Sequence, residues 1–427
     1  MKNDGIFRLN QTPATRTPPS PNAVLAMLLV VYTFNFLDRQ ILAILAEPVK
    51  ADLGLTDTQM GALGGIAFAL FYSTMAIPIS LLADRRGRAK VIGISLVIWS
   101  GFTALCGVAQ NFWQMFAFRL GVGTGEAGGV APSYAIIAER FPPERRARAM
   151  ATYALGVPLG QAAGALFGAM IAAAFDWRAT FVVLGVAGIL VWFPFRRVVR
   201  DEDGLPPAPA GEAPPLMAVF RRLAVQPAFW LLAFGAAAGS FCGHGPAFWG
   251  PAFLQRPFGL TLGQAGQFMG AQLLLTGVLG VYAGGWFGDR IGHGDKAGYA
   301  RVAGISYALS AVLLAAAFTS RDLIVLFALL LVPGGLIYVW IGPVTTAVQH
   351  LVPPGERATA SATFLLINNG IGLGFGSLAV GRLSDVLAPG YGEDALRYAL
   401  IATSLLYFVA FALMMLAAPR LRRAWIS

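Results

Sequence analysis

Charged side chains are scarce in this chain of 427 residues, because Asp, Glu, Lys and Arg together supply only 12% of it, against about 25% in a soluble domain. Cysteine and histidine are rarer still, with 2 and 3 residues. Cys106 and Cys242 lie inside apolar runs, which argues against a disulfide framework, and the dispersed histidines give no cluster with metal-ligand spacing. We therefore predict that the protein is not an enzyme and binds no cofactor or metal.

Long apolar stretches are what the chain has in abundance, since 57% of its residues are hydrophobic. A helix that crosses a membrane needs about 20 residues, and the apolar runs reach this length. The sequence predicts twelve transmembrane spans, numbered 1 to 12, near residues 23–46, 59–82, 90–110, 112–138, 147–174, 178–197, 228–254, 263–288, 298–318, 322–349, 357–387 and 396–418. The predicted fold class is thus an all-α, multi-pass membrane protein.

The spans fall into two groups of six, separated by a proline-rich linker with a short amphipathic piece that could lie on the membrane surface. The predicted layout is a tail 1–22, a six-helix bundle 23–197, the linker 198–226, a second six-helix bundle 227–419 and a tail 420–427. Most of the 31 lysines and arginines fall in the tails, the linker and the loops on their side. This asymmetry predicts that both termini are cytosolic, and it attributes the net charge of +10 to membrane insertion, with no nucleic-acid partner.

Two loop motifs occur once in each half of the chain. Asp84-Arg85-Arg86-Gly87 recurs as Asp289-Arg290-Ile291-Gly292, and a Pro-Pro…Arg-Ala loop recurs around Arg146 and Arg357. Two similar halves that each cross a membrane many times are typical of a secondary transporter. We predict that these loops form a cytosolic gate, although the arginines could instead only fix the topology. The predicted gate residues are Asp84, Arg85, Arg88, Asp289, Arg290, Arg146 and Arg357.

Four charges lie inside predicted spans of the first half, where charges are costly and therefore indicate function. They are Asp38 and Arg39 in span 1, and Arg119 and Glu126 in span 4. Arg119 and Glu126 are two helical turns apart and share a face. The favoured interpretation is proton coupling, in which an acid takes up a proton and arginine contacts are exchanged. A static ion pair and direct binding of a substrate headgroup are the alternatives.

The second half offers aromatic rings, amides and one histidine rather than mid-membrane charges. The sequence around Gly243-His244-Gly245-Pro246 predicts a broken helix, a common place for transport sites. A charged half that faces an aromatic half suits an amphiphilic substrate. The alternatives are that His244 is only hydrogen-bonded structure and that the aromatic rings face lipid or neighbouring helices. The predicted substrate cavity is lined by Arg39, Arg119, Phe36, Tyr153, Phe241, His244, Trp249, Gln272, Tyr338, Asn368 and Asn369.

Glycine patterns in spans 4 and 5 predict close helix packing. The segment Gly123-Thr124-Gly125-Glu126-Ala127-Gly128 matches a dinucleotide-binding fingerprint but has no preceding strand, so that function is rejected. Gly156, Gly160, Gly164 and Gly168 form a small-residue seam. Such a seam suits two helices that slide or rock across the interface between the two halves, and plain static packing is the equally weighted alternative.

The repeated Asp-Arg-x-Gly loops, together with the Pro-Pro…Arg-Ala loops, resemble those of the major facilitator superfamily, although Ser80 stands where a glycine is usual. Asn35-Phe36-Leu37-Asp38-Arg39 and the glycine-rich segment around Glu126 resemble the spinster family in particular. The resemblance implies a monomeric transporter of a bacterial inner membrane. It also implies alternating access with proton-linked movement of lysophospholipids or sphingosine-1-phosphate-like lipids, so that a lipid-like substrate, protons and membrane lipids are the expected partners. Asp38, Arg39, Arg119 and Glu126 occupy the matching family positions.

Organic-anion:cation symporters carry a similar motif in span 1, so an organic-anion or sugar-acid:proton symporter is the alternative function. The direction of transport depends on span 5, where Gly156-Val157-Pro158-Leu159-Gly160 partly resembles a signature of antiporters. This resemblance favours export by proton antiport.

Overall fold

The computed structural model describes residues 19–201, 216–292 and 295–426, with side chains except at positions 147, 216, 281–292, 354 and 358. The described part of the chain is helical and contains no β-strand. Most of the predicted N-terminal tail and the proline-rich part of the linker lie outside the described residues. The predicted all-α fold is confirmed for the described ranges.

Six spans form the first half, and three of them are broken into two helices. Their bounds are Pro21–Ile44, Asp57–Gly64 with Ile66–Arg86, Arg88–Cys106, Phe112–Glu126 with Val130–Arg140, Pro143–Ala154 with Gly156–Ala174, and Trp177–Val198. A short helix, Ala46–Leu53, continues span 1. The break in span 4 comes directly after Glu126, so a predicted site residue ends its helix.

Six further spans form the second half. Their bounds are Pro227–Gln255, Leu262–Gly292, Gly298–Thr319, Leu323–Leu336 with Ile341–Gln349, Arg357–Asn368 with Gly374–Tyr391, and Ala395–Leu405 with Tyr407–Ala424. A π-helical turn, Asn369–Leu373, joins the two helices of span 11. A separate amphipathic helix, Leu216–Ala224, precedes span 7 and is called the linker helix below.

Length and hydropathy support a membrane location for these helices. Eight stretches of the described chain are long and apolar enough to cross a membrane, and a ninth appears if the linker helix and span 7 are taken as one bent pair. One stretch, Thr359–Ala424, contains both span 11 and span 12. Span 4 consists of pieces of 15 and 11 residues, too short to cross singly, but together they match the predicted run.

Span 7 is continuous through His244 and Pro246, so the predicted broken helix is wrong. The helix runs over 29 residues with two prolines inside it. A proline removes one backbone hydrogen bond, while the buried face of span 7 packs on spans 11 and 12. Packing along the whole helix therefore outweighs the local defect.

The glycine seam of span 5 faces span 1 within the same half, which agrees with the static-packing alternative and not with an interface between the halves. A Cβ atom on Gly160 would lie 2.3 Å from the carbonyl oxygen of Thr33, and one on Gly164 would lie 2.7 Å from that of Leu37. Contact between the halves instead uses glycines of span 8, such as Gly266, which meets Ala165 and Ala169 of span 5. The glycines of span 4 that match the dinucleotide-binding fingerprint pack on spans 2 and 3. They therefore allow close contact between helices, as predicted.

Span 12 continues to Ala424, beyond the boundary at 419 that the sequence suggested. Arg422 anchors this extension because its guanidinium Nε lies 2.8 Å from Asp295 Oδ1. Trp425 stacks on His350 with 4.3 Å between ring centroids. The C-terminal segment up to residue 426 is therefore packed against the second half.

Replacing Gly160 with alanine tests the packing of spans 1 and 5. The added methyl group would clash with backbone at 2.3 Å, and overpacking of this kind costs about 1–3 kcal/mol. We expect Gly160→Ala to lower the melting temperature of the purified protein. Gly101→Ala is the matched control, because a Cβ there meets nothing within 4 Å and alanine favours a helix by about 0.5–1 kcal/mol. Equal melting temperatures for the two variants would contradict this packing.

Candidate functional site

An ion pair between spans 1 and 4 lies at the centre of the site. Arg39 Nε donates to Glu126 Oε2 over 2.7 Å, and Glu126 is fully buried. The second carboxylate oxygen of Glu126 and Nη2 of Arg39 are buried without a hydrogen-bond partner in the described part of the chain. Both groups retain unused hydrogen-bonding capacity, so the pair can accept another ligand.

Three aromatic rings surround the guanidinium of Arg39. Its central carbon lies 4.7 Å from the ring of Phe36, 4.6 Å from that of Phe68 and 4.5 Å from that of Tyr72. Cation–π attraction of this kind is worth about 2 kcal/mol when the groups are desolvated. The rings therefore help to keep a charged arginine within the membrane.

Asp38 and Arg119 complete the group of four charges but not in the predicted arrangement. Asp38 is buried and accepts a hydrogen bond from Thr103 Oγ1 at 2.9 Å. Arg119 is also buried, and its Nε has no hydrogen-bond partner among the described residues. Its guanidinium lies 5.4 Å from the ring of Phe68, which thus touches both arginines. Glu126 pairs with Arg39 rather than with Arg119, the residue that shares its helix.

Sequence reasoning missed four contributors to this site: Thr103, Phe68, Tyr72 and Asn35. The side-chain amide of Asn35 is buried near the ion pair, and neither of its polar atoms has a partner in the described ranges. Asn35 precedes Asp38 by three residues and shares its helical face, which was a usable signal. Nothing in the sequence singles out Phe68 or Thr103, because both lie in apolar runs of other spans.

A cavity of about 100 Å³ lies in the second half. Its walls are mainly apolar and come from spans 7 to 10, with Gln161 of span 5 closing one side. Of the predicted cavity residues, Gln272 and Tyr338 line it. The hydroxyl of Tyr338 donates to Gln161 Oε1 at 3.2 Å, so a hydrogen bond between the halves lies in its wall.

The other predicted cavity residues are placed differently. Trp249 is fully buried and donates to the carbonyl oxygen of Ser377 at 2.8 Å, so it packs span 7 on span 11 instead of facing open space. Tyr153 is buried and stacks on Tyr32 at 4.3 Å, and Phe241 packs at the margin of the core.

His244 and the two asparagines form a small polar group. His244 Nδ1 lies 2.7 Å from the carbonyl oxygen of Ser240, whose hydroxyl donates to Asn368 Oδ1 at 2.8 Å. Asn368 in turn donates to Asn369 at 3.2 Å, where the π-helical turn begins. These contacts satisfy the polar groups locally, and a ligand role for them stays a prediction.

The predicted gate loops are only partly described. Arg88 pairs with Asp84 at 2.9 Å and with Glu139, all within the first half, while Arg85 is exposed. Nε of Arg146 and Nε of Arg357 are both buried without a hydrogen-bond partner in the described part of the chain. The side chains of Asp289 and Arg290 lie outside the described residues, so the gate stays a prediction.

The opposite end of the bundle, called the Asp57 end, is closed by bonds between the halves that the sequence did not reveal. Arg256, after span 7, bonds Glu47 and Asp57 of the first half, each at 2.7 Å. The carboxylate of Asp385 accepts from the backbone N–H groups of Asp57 and Thr58 at 3.1 and 2.8 Å. Asp385 thus caps the first helix of span 2 from the other half.

The family model for the Major Facilitator Superfamily matches residues 28–377. The chain belongs to the major facilitator superfamily. An MFS-type efflux pump of Mycolicibacterium smegmatis is 35% identical to it over 94% of this chain and 93% of the pump. A hexuronate transporter of Bacillus subtilis is 28% identical over 70% of this chain and 71% of the transporter. A multi-pass transporter, and not an enzyme, follows from this membership.

A solved structure gives the conformation that the fold resembles. It is a bacterial homologue of the human lysosomal transporter Spinster, inward-facing and unoccupied, with a TM-score of 0.85. The sequences are 28% identical, and the match covers 95% of this chain and 98% of the other. The predicted likeness to the spinster family is therefore confirmed.

Replacing Arg256 with glutamine tests the closed Asp57 end. The change removes the cation between Glu47 and Asp57, and loss of one partner from a buried charge pair costs about 2–5 kcal/mol. We expect Arg256→Gln to open this end and to raise the labelling rate of a cysteine at Ser377, which is buried there, at least tenfold. The native cysteines are buried, so a membrane-impermeant maleimide reports on the new cysteine.

Arg382→Gln is the control for this experiment, because Arg382 is exposed near the same end and carries the same charge. Its labelling rate should match that of the parent protein. If Arg256→Gln also labels at the parent rate, the bonds of Arg256 do not hold the Asp57 end closed.

Proposed function

We propose that the protein moves an amphiphilic lipid, of the lysophospholipid or sphingosine-1-phosphate type, across the membrane by proton-coupled alternating access. One observation carries this proposal: the first half holds Arg39, which three aromatic rings surround, and the second half contains an apolar cavity. Similarity to a probable sphingolipid transporter of Arabidopsis thaliana, spinster homologue 2, which is 23% identical over 80% of this chain and 77% of that protein, supports the same substrate class. With the predicted topology, the closed Asp57 end is the outer end, as an inward-facing conformation requires.

The headgroup would bind at Arg39. Its guanidinium has an unused Nη2, and a guanidinium matches the oxygen atoms of a phosphate with two parallel hydrogen bonds. The side chain is 18% exposed, whereas Glu126 is completely buried. A ligand can therefore reach the arginine first, and it would compete with Glu126 for the same donor groups.

The end of the alkyl chain would enter the cavity of the second half. Phe253, Phe268, Leu326 and Leu330 supply apolar walls. Its volume of about 100 Å³ is smaller than that of an engineered apolar cavity of about 150 Å³ that binds benzene. The cavity therefore accommodates a short part of a chain in this conformation, and a whole lipid would need the space between the halves.

The Arg39–Glu126 pair couples a proton to this binding step. An anionic headgroup on Arg39 leaves Glu126 as a buried carboxylate without its partner, a state that favours protonation. Protonated Glu126 in turn releases Arg39 for the anion. Proton and substrate then favour each other's binding, which supports co-transport of the two in one direction over the antiport that span 5 suggested.

Substitution of Glu126 by glutamine tests this coupling. The amide imitates the protonated acid, so Glu126→Gln should bind a lysophospholipid at neutral pH but lose the pH dependence of binding. In the parent protein, affinity should rise as pH falls, by at most about tenfold per pH unit for one linked proton. Transport in proteoliposomes driven by a pH gradient should be abolished.

Glu144→Gln, at an exposed position outside the site, is the control and should behave as the parent. Asp38→Asn should show whether the second buried acid shares the coupling role. If transport by Glu126→Gln and Asp38→Asn still responds to the gradient as in the parent, these acids do not couple the proton.

A sugar-acid:proton symporter is the second candidate function. Similarity to a hexuronate transporter favours it, and Gln161, Gln272 and Tyr338 could bind hydroxyl groups in the cavity. A thermal-shift comparison separates the two candidates. Stabilisation by hexuronates and not by lysophospholipids would replace the lipid proposal.

Filling the cavity gives a prediction about chain length. Ala247 lines the cavity, and Ala247→Phe should remove most of its volume. We expect this variant to weaken binding of long-chain lysophospholipids at least tenfold while short-chain analogues, which do not reach the cavity, bind as before. Equal loss for both chain lengths would contradict a tail site in this cavity.

A further inference from the structure

The linker helix turns sharply away from the spans. It makes an angle of 88° with span 7, and a helix perpendicular to a span runs parallel to the membrane plane. Trp230 fixes this corner, because its indole N–H donates to the carbonyl oxygen of Ala224 at 3.3 Å. Tryptophan at the start of a span is typical of the level of the lipid headgroups.

One stripe of the linker helix is buried in the protein. Val219 and Leu223 are 0% and 1% exposed, one helical turn apart. Arg222 pairs with Glu356, before span 11, at 3.2 Å, and Gln226 donates to the carbonyl oxygen of Leu351, after span 10, at 2.9 Å. The helix is therefore held to the ends of spans 10 and 11.

The rest of its surface divides into an apolar and a basic part. Met217 is 76% exposed and Phe220 is 45% exposed. At 100° per residue, Phe220 lies about 80° and Met217 about 140° from the centre of the buried stripe, while Arg221 lies opposite that stripe and about 40° from Met217. Exposed apolar side chains next to a basic one, on a helix parallel to the membrane, match an interface with acyl chains below and anionic headgroups above.

We propose that the linker helix is a binding site for an anionic phospholipid surface. Met217 and Phe220 enter the acyl-chain boundary, and Arg221 binds the headgroup phosphates. Arg222 and Gln226 connect this contact to the ends of spans 10 and 11. The site does not depend on the transported substrate, so its test is independent of the proposed function.

The depth of Phe220 can be measured with a fluorophore attached at Phe220→Cys in proteoliposomes. Lipids that carry a quenching nitroxide on the acyl chain should quench the label. Aqueous iodide should quench it at least fivefold less than a label at Glu144→Cys, an exposed position in the first turn of span 5. Iodide quenching equal to that at Glu144→Cys would overturn the proposal, and it would leave this face available to a soluble protein partner instead.

Preference for anionic lipid needs a second measurement. Binding of fluorescent phosphatidylglycerol to the detergent-solubilised protein should exceed that of phosphatidylcholine, and Arg221→Glu should weaken it by about fivefold or more, since one basic residue near an anionic surface contributes about that factor. Arg423→Glu, an equal charge change at an exposed position on span 12, should have little effect. Equal losses in the two variants would show only a general charge effect and would overturn the assignment to Arg221.

Discussion

The buried ion pair between Arg39 and Glu126 is the constraint on which the arrangement of the first half depends. A charge within the hydrocarbon region is unfavourable by at least about 2.5–3.5 kcal/mol, and this half contains four. Two are positive and two negative, so their ionised forms balance. Aromatic rings and Thr103 supply additional contacts, and the break after Glu126 lets span 4 accommodate the acid.

The two halves differ in the chemical groups that they could offer to a substrate. The first half holds the charges, and the second holds an apolar cavity with a few amide and hydroxyl groups in its wall. The bond between Tyr338 and Gln161 crosses from one half to the other beside that cavity. In the proposed alternating access, relative movement of the halves would change the cavity wall and so link occupancy of the cavity to that movement.

Spans, charges and repeats could be predicted from the sequence because each is a one-dimensional pattern. Hydropathy locates a span in the sequence without knowledge of which helices pack against it. A charged residue inside an apolar run is likewise visible in the sequence alone. The sequence could not predict which arginine pairs with Glu126. Arg119 is nearer to Glu126 along the chain, but Arg39 reaches it from another helix. Phe68 and Arg256 were missed for the same reason, because their roles depend on contacts between distant spans.

Local rules failed where packing between helices overrides them. Pro246 suggested a break, but the helix continues and its buried face packs on spans 11 and 12. The glycines of span 5 indicated close approach to another helix without indicating which one. Periodicity shows that a face is buried, and only the tertiary arrangement shows that span 1, and not the other half, covers it.

The linker is attached to both halves, which bears on how they can move. Asp201 accepts from the backbone N–H groups of Ala89 and Lys90 at the start of span 3, at 2.8 and 3.0 Å, while the linker helix is held to the second half. The chain between Asp201 and Leu216 can reach about 50 Å when extended. In the proposed alternating access, both attachments could therefore persist while the halves move, whereas the bonds at the Asp57 end would have to break.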